Sequence, residues 1–123
     1  MILVDTSVWI DHIQKAEPLL VQLLDNGLVL AHQLVIGELA VGQFKHQDEI
    51  LERMLEMPQA MMAETFEVLK FIKENALAGI GIGFIDAHLL ASIRLTHGTK
   101  LWTRDKRLLA ASARLGLDAK LAH

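Results

Sequence analysis

The sequence predicts an α/β domain with a short, mostly parallel central sheet and helices on both faces. Three observations carry this. Short segments of strand length (the apolar Met1–Val4 and Leu28–Ala31, and Lys100–Thr103) alternate with longer amphipathic segments of helical period. That alternation favours parallel strands joined by helices over hairpins. Finally, Asp5 and Asp105 each lie just beyond the carboxyl end of a predicted strand, where open α/β sheets gather their ligands.

Met1–Val4 is apolar throughout and is halted by Asp5-Thr6-Ser7, so it reads as a buried strand followed by a helix over Val8–Gln14 capped by Thr6 or Ser7. Pro18 suits the first turn of a helix through Leu24, closed by Asn26-Gly27. Leu28–Ala31 is the second strand. Leu34–Phe44 is helical, with Gly37 and Gly42 as weak points, and Asp48–Glu56 is a charged amphipathic helix stopped before Pro58. Gln59–Ala63 is a short strand. Glu64–Ala76 is a helix with Phe66, Leu69, Ile72 and Lys73 at helical spacing. Ala78–Gly83 places glycines at 79, 81 and 83, without the spacing of a dinucleotide fingerprint or the lysine of a P-loop, so it reads as a flexible loop. A helix over Phe84–Thr96, the strand Lys100–Thr103, a helix over Lys106–Leu115 and a terminal strand Ala119–Leu121 complete the chain.

The length of 123 residues fits one domain spanning 1–123, and an apolar content of 52% supports a core. The chain has no cysteine, which excludes disulfides, zinc thiolates and thiol chemistry. Its apolar runs are too short for a membrane span, and no basic segment precedes the first of them, so no signal peptide is expected and the default address is cytoplasmic. The net charge of −3 opposes nucleic-acid contact on its own. Its distribution does not: residues 1–93 hold 5 Lys+Arg against 13 Asp+Glu, and residues 94–123 hold 7 against 2. A basic tail of this kind is either a solvated helical face or a phosphate-binding edge.

The candidate chemistry lies in Asp5, Glu38, Asp86 and Asp105. The first three sit in apolar segments with no Lys or Arg within four residues. A carboxylate in such surroundings is costly unless paired, protonated or bound to a metal. If the four converge, each pair about 5 Å apart repels by roughly 3 kcal/mol at an effective dielectric of 20. The cluster would then need protons or a hard cation, Mg²⁺ or Mn²⁺. Arg104, Lys106 and Arg107, beside Asp105, could hold phosphates of a polyanion. Taken singly, Asp5, Asp86 and Asp105 could instead start a turn or cap helix N-termini. Glu38 and Asp86 are harder to dismiss, since their helical neighbours are largely apolar.

The histidines (His12, His32, His46, His88, His97, His123) form no ligand-spaced pair, and His12 and His46 read as exposed. Trp9 and Trp102 read as core, and Met54, Met57, Met61 and Met62 as core or interface. Ser7 and Thr103 lack a nucleophile–base partner, against a serine-type hydrolase.

The opening Ile2–Ile10 segment, the Val35-Ile36-Gly37-Glu38-Leu39 block, the Asp86–Ala91 block and Leu101-Trp102-Thr103-Arg104-Asp105, in this order and spacing, resemble the PIN-domain family and within it the VapC-type ribonuclease toxins. The resemblance spans essentially the whole length. It implies a three-layer PIN fold and metal-dependent hydrolysis of RNA, with Asp5, Glu38, Asp86 and Asp105 as the acidic set. The metal would rest mainly on Asp5, Asp86 and Asp105, with Glu38 completing the set. Thr103 matches a hydroxyl that helps order the site, and Thr6 a polar position beside the first acid. Leu108 replaces an aromatic usual in the family, which should alter packing and not chemistry. The resemblance also implies a homodimer and a VapB-type antitoxin, a small DNA-binding protein that blocks the site and through which DNA contact would be indirect. A receiver-like phosphoacceptor domain has similar length and an acidic Mg²⁺ pocket. It wants two adjacent acids after the first strand, where Thr6 follows Asp5, and an acceptor aspartate in Gln59–Ala63, which has none. A catalytically silent RNA- or protein-binding module is the other alternative.

Overall fold

The computed structural model describes residues 1–121, so His123 lies outside the described residues. The chain runs β1 (Ile2–Val4), α1 (Thr6–Gln14), α2 (Pro18–Asp25), β2 (Val29–Leu30), α3 (Gln33–Ala40), α4 (Gln47–Glu56), α5 (Thr65–Glu74), α6 (Phe84–Leu95), β3 (Lys100–Trp102) and α7 (Lys106–Arg114). The sheet order is β2-β1-β3, both pairings parallel, with Leu3 opposite Leu30 and Leu101. This is the three-layer α/β arrangement expected. Apart from exposed Lys100 at the start of β3, the strands are apolar because helices cover the sheet. Leu3, Val4, Leu20, Val35, Leu89, Leu90, Leu101, Trp102 and Leu108 are buried in one core cluster. No helix among the described residues is long and apolar enough to cross a membrane.

Several elements differ from expectation. The strands at Gln59–Ala63 and Ala119–Leu121 reduce to single parallel bridges, Ala31 with Gln59 and Leu101 with Asp118. Each keeps two backbone bonds: Ala31 N to Pro58 O and Ala60 N to Ala31 O on one side, Leu101 N to Leu117 O and Ala119 N to Leu101 O on the other. The third helix stops at Ala40 rather than Phe44. The side-chain amide of Gln47 donates to the carbonyls of Leu39, Ala40 and Gly42, which satisfies the helix end and turns the chain. On α5 the buried residues are Val68 and Phe71, with Ile72 packed against the core, whereas Phe66 and Leu69 face outward. Two apolar stripes compete on that helix, and packing against α6 selects the first. Trp9, Trp102 and Met54 are core as expected and Met57 packs against it, but Met61 and Met62 are exposed. His46 is exposed, yet His12 is half-buried and accepts from the Glu17 amide.

The loop after α5 adopts left-handed backbone at Gly79 and Gly81, as its glycines allow.

His32 is buried at the N-cap of α3. Its Nδ1 accepts from the Leu34 amide, so Nε2 carries the proton and donates to Ser92 Oγ at 2.9 Å. Burial, and secondarily the His88 ring alongside, lower its pKa from 6.5 to about 4. The unfolded chain therefore takes up the proton first on acidification. Stability from this group is complete above about pH 6.5 and is lost towards pH 4, about 3 kcal/mol in all. His32→Asn keeps a cap acceptor and should flatten urea-unfolding stability across that window. An unchanged slope would assign the acid sensitivity elsewhere.

Candidate active site

Register assembles the site. Val4 lies opposite Trp102, and the Asp5 amide donates to the Trp102 carbonyl at 2.9 Å. Asp5 and Thr103 therefore leave the sheet side by side. Asp5 is 5% exposed and Thr103 fully buried. Thr103 Oγ1 donates to Asp5 Oδ2 at 2.7 Å, and Ser7 Oγ donates to the same oxygen at 2.8 Å. Thr103 Oγ1 in turn accepts from the Asp105 amide, and Ser7 Oγ from the Arg104 amide. Two hydroxyls thus solvate a buried carboxylate and anchor the β3–α7 turn to it.

Thr6 and Ser7 were expected as helix caps; instead Asp5 holds the N-cap position of α1, and both hydroxyls serve acids. Thr6 Oγ1 donates to Glu38 Oε1 at 2.7 Å, joining α1 to α3. Glu38 is half-buried between buried Val35 and Leu39, while Val41, beyond the helix end, is 89% exposed. Asp105 caps α7: its Oδ1 accepts from the Arg107 and Leu108 amides. Asp86, in the first turn of α6, accepts from the Gly83 amide at 3.3 Å through Oδ2. The capping readings of Asp105 and Asp86 are therefore correct and compatible with a second role. Each of the four acids uses one oxygen for structure and leaves Asp5 Oδ1, Glu38 Oε2, Asp86 Oδ1 and Asp105 Oδ2 without a hydrogen bond among the described residues.

The four acids lie within electrostatic reach of one another without converging on one point. Asp86 has its pKa raised, chiefly by burial and also by the negative charges of Asp5, Asp105 and Glu38. Among the described residues none of the four has an ion-pair partner. They are not drawn into a ligand shell of three or more around one point. Exposure grades from buried Asp5 to exposed Asp105, and Glu38 lines a cleft of about 220 Å³ with Ile10, Ile13 and Phe44. An all-oxygen, net-negative, unpaired set fits a hard divalent cation, which would draw the acids inward or reach some of them through water.

Arg104 is not available for phosphate. Its guanidinium pairs with Asp11 at 2.8 Å and Glu17 at 2.6 Å and lies over the Trp102 ring. Its charge is spent inside the fold, joining α1 and the segment before α2 to the β3–α7 turn. Lys106 and Arg107 are exposed on α7. Ser7 is the residue that sequence reasoning missed. Its position two after an acid, before a helix, was the available signal.

His88, two residues beyond Asp86, is 5% exposed and edge-on to His32 and Phe84; among the described residues neither ring nitrogen has a hydrogen-bond partner. Burial lowers its pKa.

With this geometry established, the chain belongs to the PIN-domain family, whose pattern matches residues 2–114. It is similar to Ribonuclease VapC32 of Mycobacterium tuberculosis, at 46% identity over 117 residues in both the CDC 1551 / Oshkosh and the ATCC 25618 / H37Rv strains, covering 95% of this chain and 94% of those proteins. The VapC-type resemblance therefore holds along nearly the whole length, and the receiver-domain alternative is set aside.

Thr103→Val removes one donor from a buried carboxylate and strands the Asp105 amide, so it should cost about 1–3 kcal/mol in urea unfolding. A loss under about 0.5 kcal/mol would mean that Ser7 alone satisfies Asp5. Asp86→Asn should do the opposite without metal. The raised pKa means that deprotonation is opposed in the fold, so this group's penalty is absent below the unfolded carboxylate pKa and grows as pH rises past it. Discounted for partial exposure, the gain should be about 0.5–1 kcal/mol at neutral pH, a few degrees in melting temperature, and should vanish near pH 3. A lower melting temperature at neutral pH would make Asp86 a structural cap first.

Proposed function

We propose that this chain is a metal-dependent endoribonuclease serving as the toxin of a toxin–antitoxin pair. The observation that carries the reading is the placement of the acids on the elements: Asp5 and Asp105 just beyond the ends of β1 and β3, Glu38 tied to α1 by Thr6, and Asp86 in the first turn of α6. The 46% identity to proteins named ribonuclease supports the substrate class. Asp5, Asp86 and Asp105, completed by Glu38, would hold Mg²⁺ or Mn²⁺ through the oxygens that structural hydrogen bonds leave unused. When bound, such an ion neutralises charge growing on a phosphoryl group and makes a nearby water more acidic.

The chain's own residues do the positioning. Thr103 and Ser7 fix the rotamer of Asp5, Thr6 that of Glu38, and the α7 amides that of Asp105. Hydrolysis would form a bond from water oxygen to phosphorus and break the phosphorus–O3′ bond, leaving a 5′-phosphate and a 3′-hydroxyl. A VapB-type antitoxin covering the acids, and a homodimer, complete the reading. Exposed Met61, Met62, Phe66 and Leu69 provide apolar surface that suits a protein partner.

The test compares Asp5→Asn and Asp105→Asn in RNA cleavage with Mg²⁺ or Mn²⁺. Asparagine caps helices as well as aspartate, so Asp105→Asn should melt within about 1 kcal/mol of the unaltered chain while cleavage falls by more than about 100-fold. Asp5→Asn should lose cleavage to a similar degree. Cleavage undiminished in both variants would falsify the acidic-site mechanism.

A further inference from the structure

We propose that a basic groove between α7 and the 79–83 loop binds the phosphate backbone of the RNA strand flanking the scissile bond, an inference that rests on the ribonuclease reading above. The groove holds about 360 Å³ and is lined by Ile80 of the loop and by Lys106, Arg107, Ala110, Ala111 and Arg114 of α7. It contains three cations and no carboxylate. Lys106, Ala110 and Arg114 recur at four-residue spacing, so they form one face of the helix. From Lys106 to Arg114 is about 12 Å along a helix axis. That spread is too wide for one phosphate and suits a polyanion.

The cations are available. Among the described residues Lys106 and Arg107 have no ion-pair partner, and Arg114 commits one guanidinium nitrogen to the Asn75 carbonyl at 2.8 Å. This contrasts with Arg104, whose charge is consumed by Asp11 and Glu17. The basic tail of the sequence thus divides by geometry into one structural guanidinium and a free row.

The acids lie outside the groove but adjoin it through the backbone of its two walls. The Arg107 amide bonds Asp105 Oδ1 at 3.0 Å, and the loop wall continues from Ile80 to Gly83, whose amide bonds Asp86. In the proposed binding mode, a strand with a phosphate at the acids runs on with its neighbouring phosphates beside α7, since Asp105 caps the helix that carries Lys106 and Arg107. Gly81 permits the fit. At φ +90° it presents bare backbone to Arg107, and a Cβ there would come within 2.8 Å of that side chain's Cδ and Nη1. An acidic peptide would meet the same cations, but it is repelled at the acid end and has no bond to offer there.

The experiment measures binding of a fluorescent single-stranded RNA by anisotropy in EDTA, so that no turnover occurs, across about 50 to 300 mM salt. Lys106→Gln, Arg107→Gln and Arg114→Gln are made singly and together. Each lost phosphate contact should lower the slope of log affinity against log salt by about 0.7, so the triple variant should lose about 2 and bind at least about tenfold more weakly. Gly81→Ala should reproduce part of the Arg107→Gln loss. In Mg²⁺ or Mn²⁺, KM should rise by a larger factor than kcat falls. An unchanged slope in the triple variant overturns the proposal. So does loss of polyglutamate-peptide binding with RNA binding intact, which would make the groove a docking surface for an acidic partner. If the unaltered chain cleaves no RNA but the variants still lose slope, the ribonuclease reading fails and the phosphate contacts stand.

Discussion

Burying the carboxylate of Asp5 at the end of β1 obliges its surroundings to supply donors, because a buried charge without them would cost several kcal/mol. The sheet register meets this demand by placing Thr103 beside it, and the first turn of α1 adds Ser7. Both hydroxyls pass the constraint on, accepting from the amides of Asp105 and Arg104. One carboxylate therefore ties the β1–α1 junction to the β3–α7 junction, and the position of Asp105 follows from it. Glu38 is tied to the same helix through Thr6. Asp86 and Asp105 are held by backbone amides instead of hydroxyls, and Asp86, with a single long bond from Gly83, is the acid whose proton affinity is raised.

The treatment of positive charge is as telling as that of negative charge. Arg104 is adjacent to Asp105 in sequence and would be the nearest guanidinium to neutralise the cluster. Asp11 and Glu17 hold it away, and the Trp102 ring supports its flat face. Among the described residues the four acids have no ion-pair partner, a condition that a structural ion-pair network would avoid. Uncompensated negative charge is the kind of surface that attracts a divalent cation from solution.

Much of this was legible in the chain. The helices around Pro18, Gln47–Glu56, Phe84 and Lys106 lie where capping residues, proline and apolar period place them, because those signals are local. The acids were legible because a carboxylate flanked by Ile36 and Leu39, or by Ile85 and Leu89, has no cheap local explanation. What failed depended on distant partners. The ion pairs of Arg104 span 87 and 93 positions, so no local pattern distinguishes it from Lys106. The inward face of α5 is decided by α6, since Phe66/Leu69 and Val68/Phe71/Ile72 are equally good stripes in isolation. The length of β2 and the loss of flanking strands reflect ladder partners that a window of sequence does not contain. Thr6 and Ser7 were assigned to capping because that is the usual work of hydroxyls before a helix; instead Thr6 engages Glu38, 32 residues away, and Ser7 bridges Asp5 to the Arg104 amide, 97 residues away.

The outer rungs of the sheet have one more effect. At both margins the ladder ends in a single bridge, at Gln59 and at Asp118, rather than in an extended strand. A margin one residue wide offers too few free amides and carbonyls to template a neighbouring molecule's backbone. A chain that is half apolar therefore presents, among its described residues, no extended strand edge for side-by-side pairing of sheets, leaving association to side-chain surfaces.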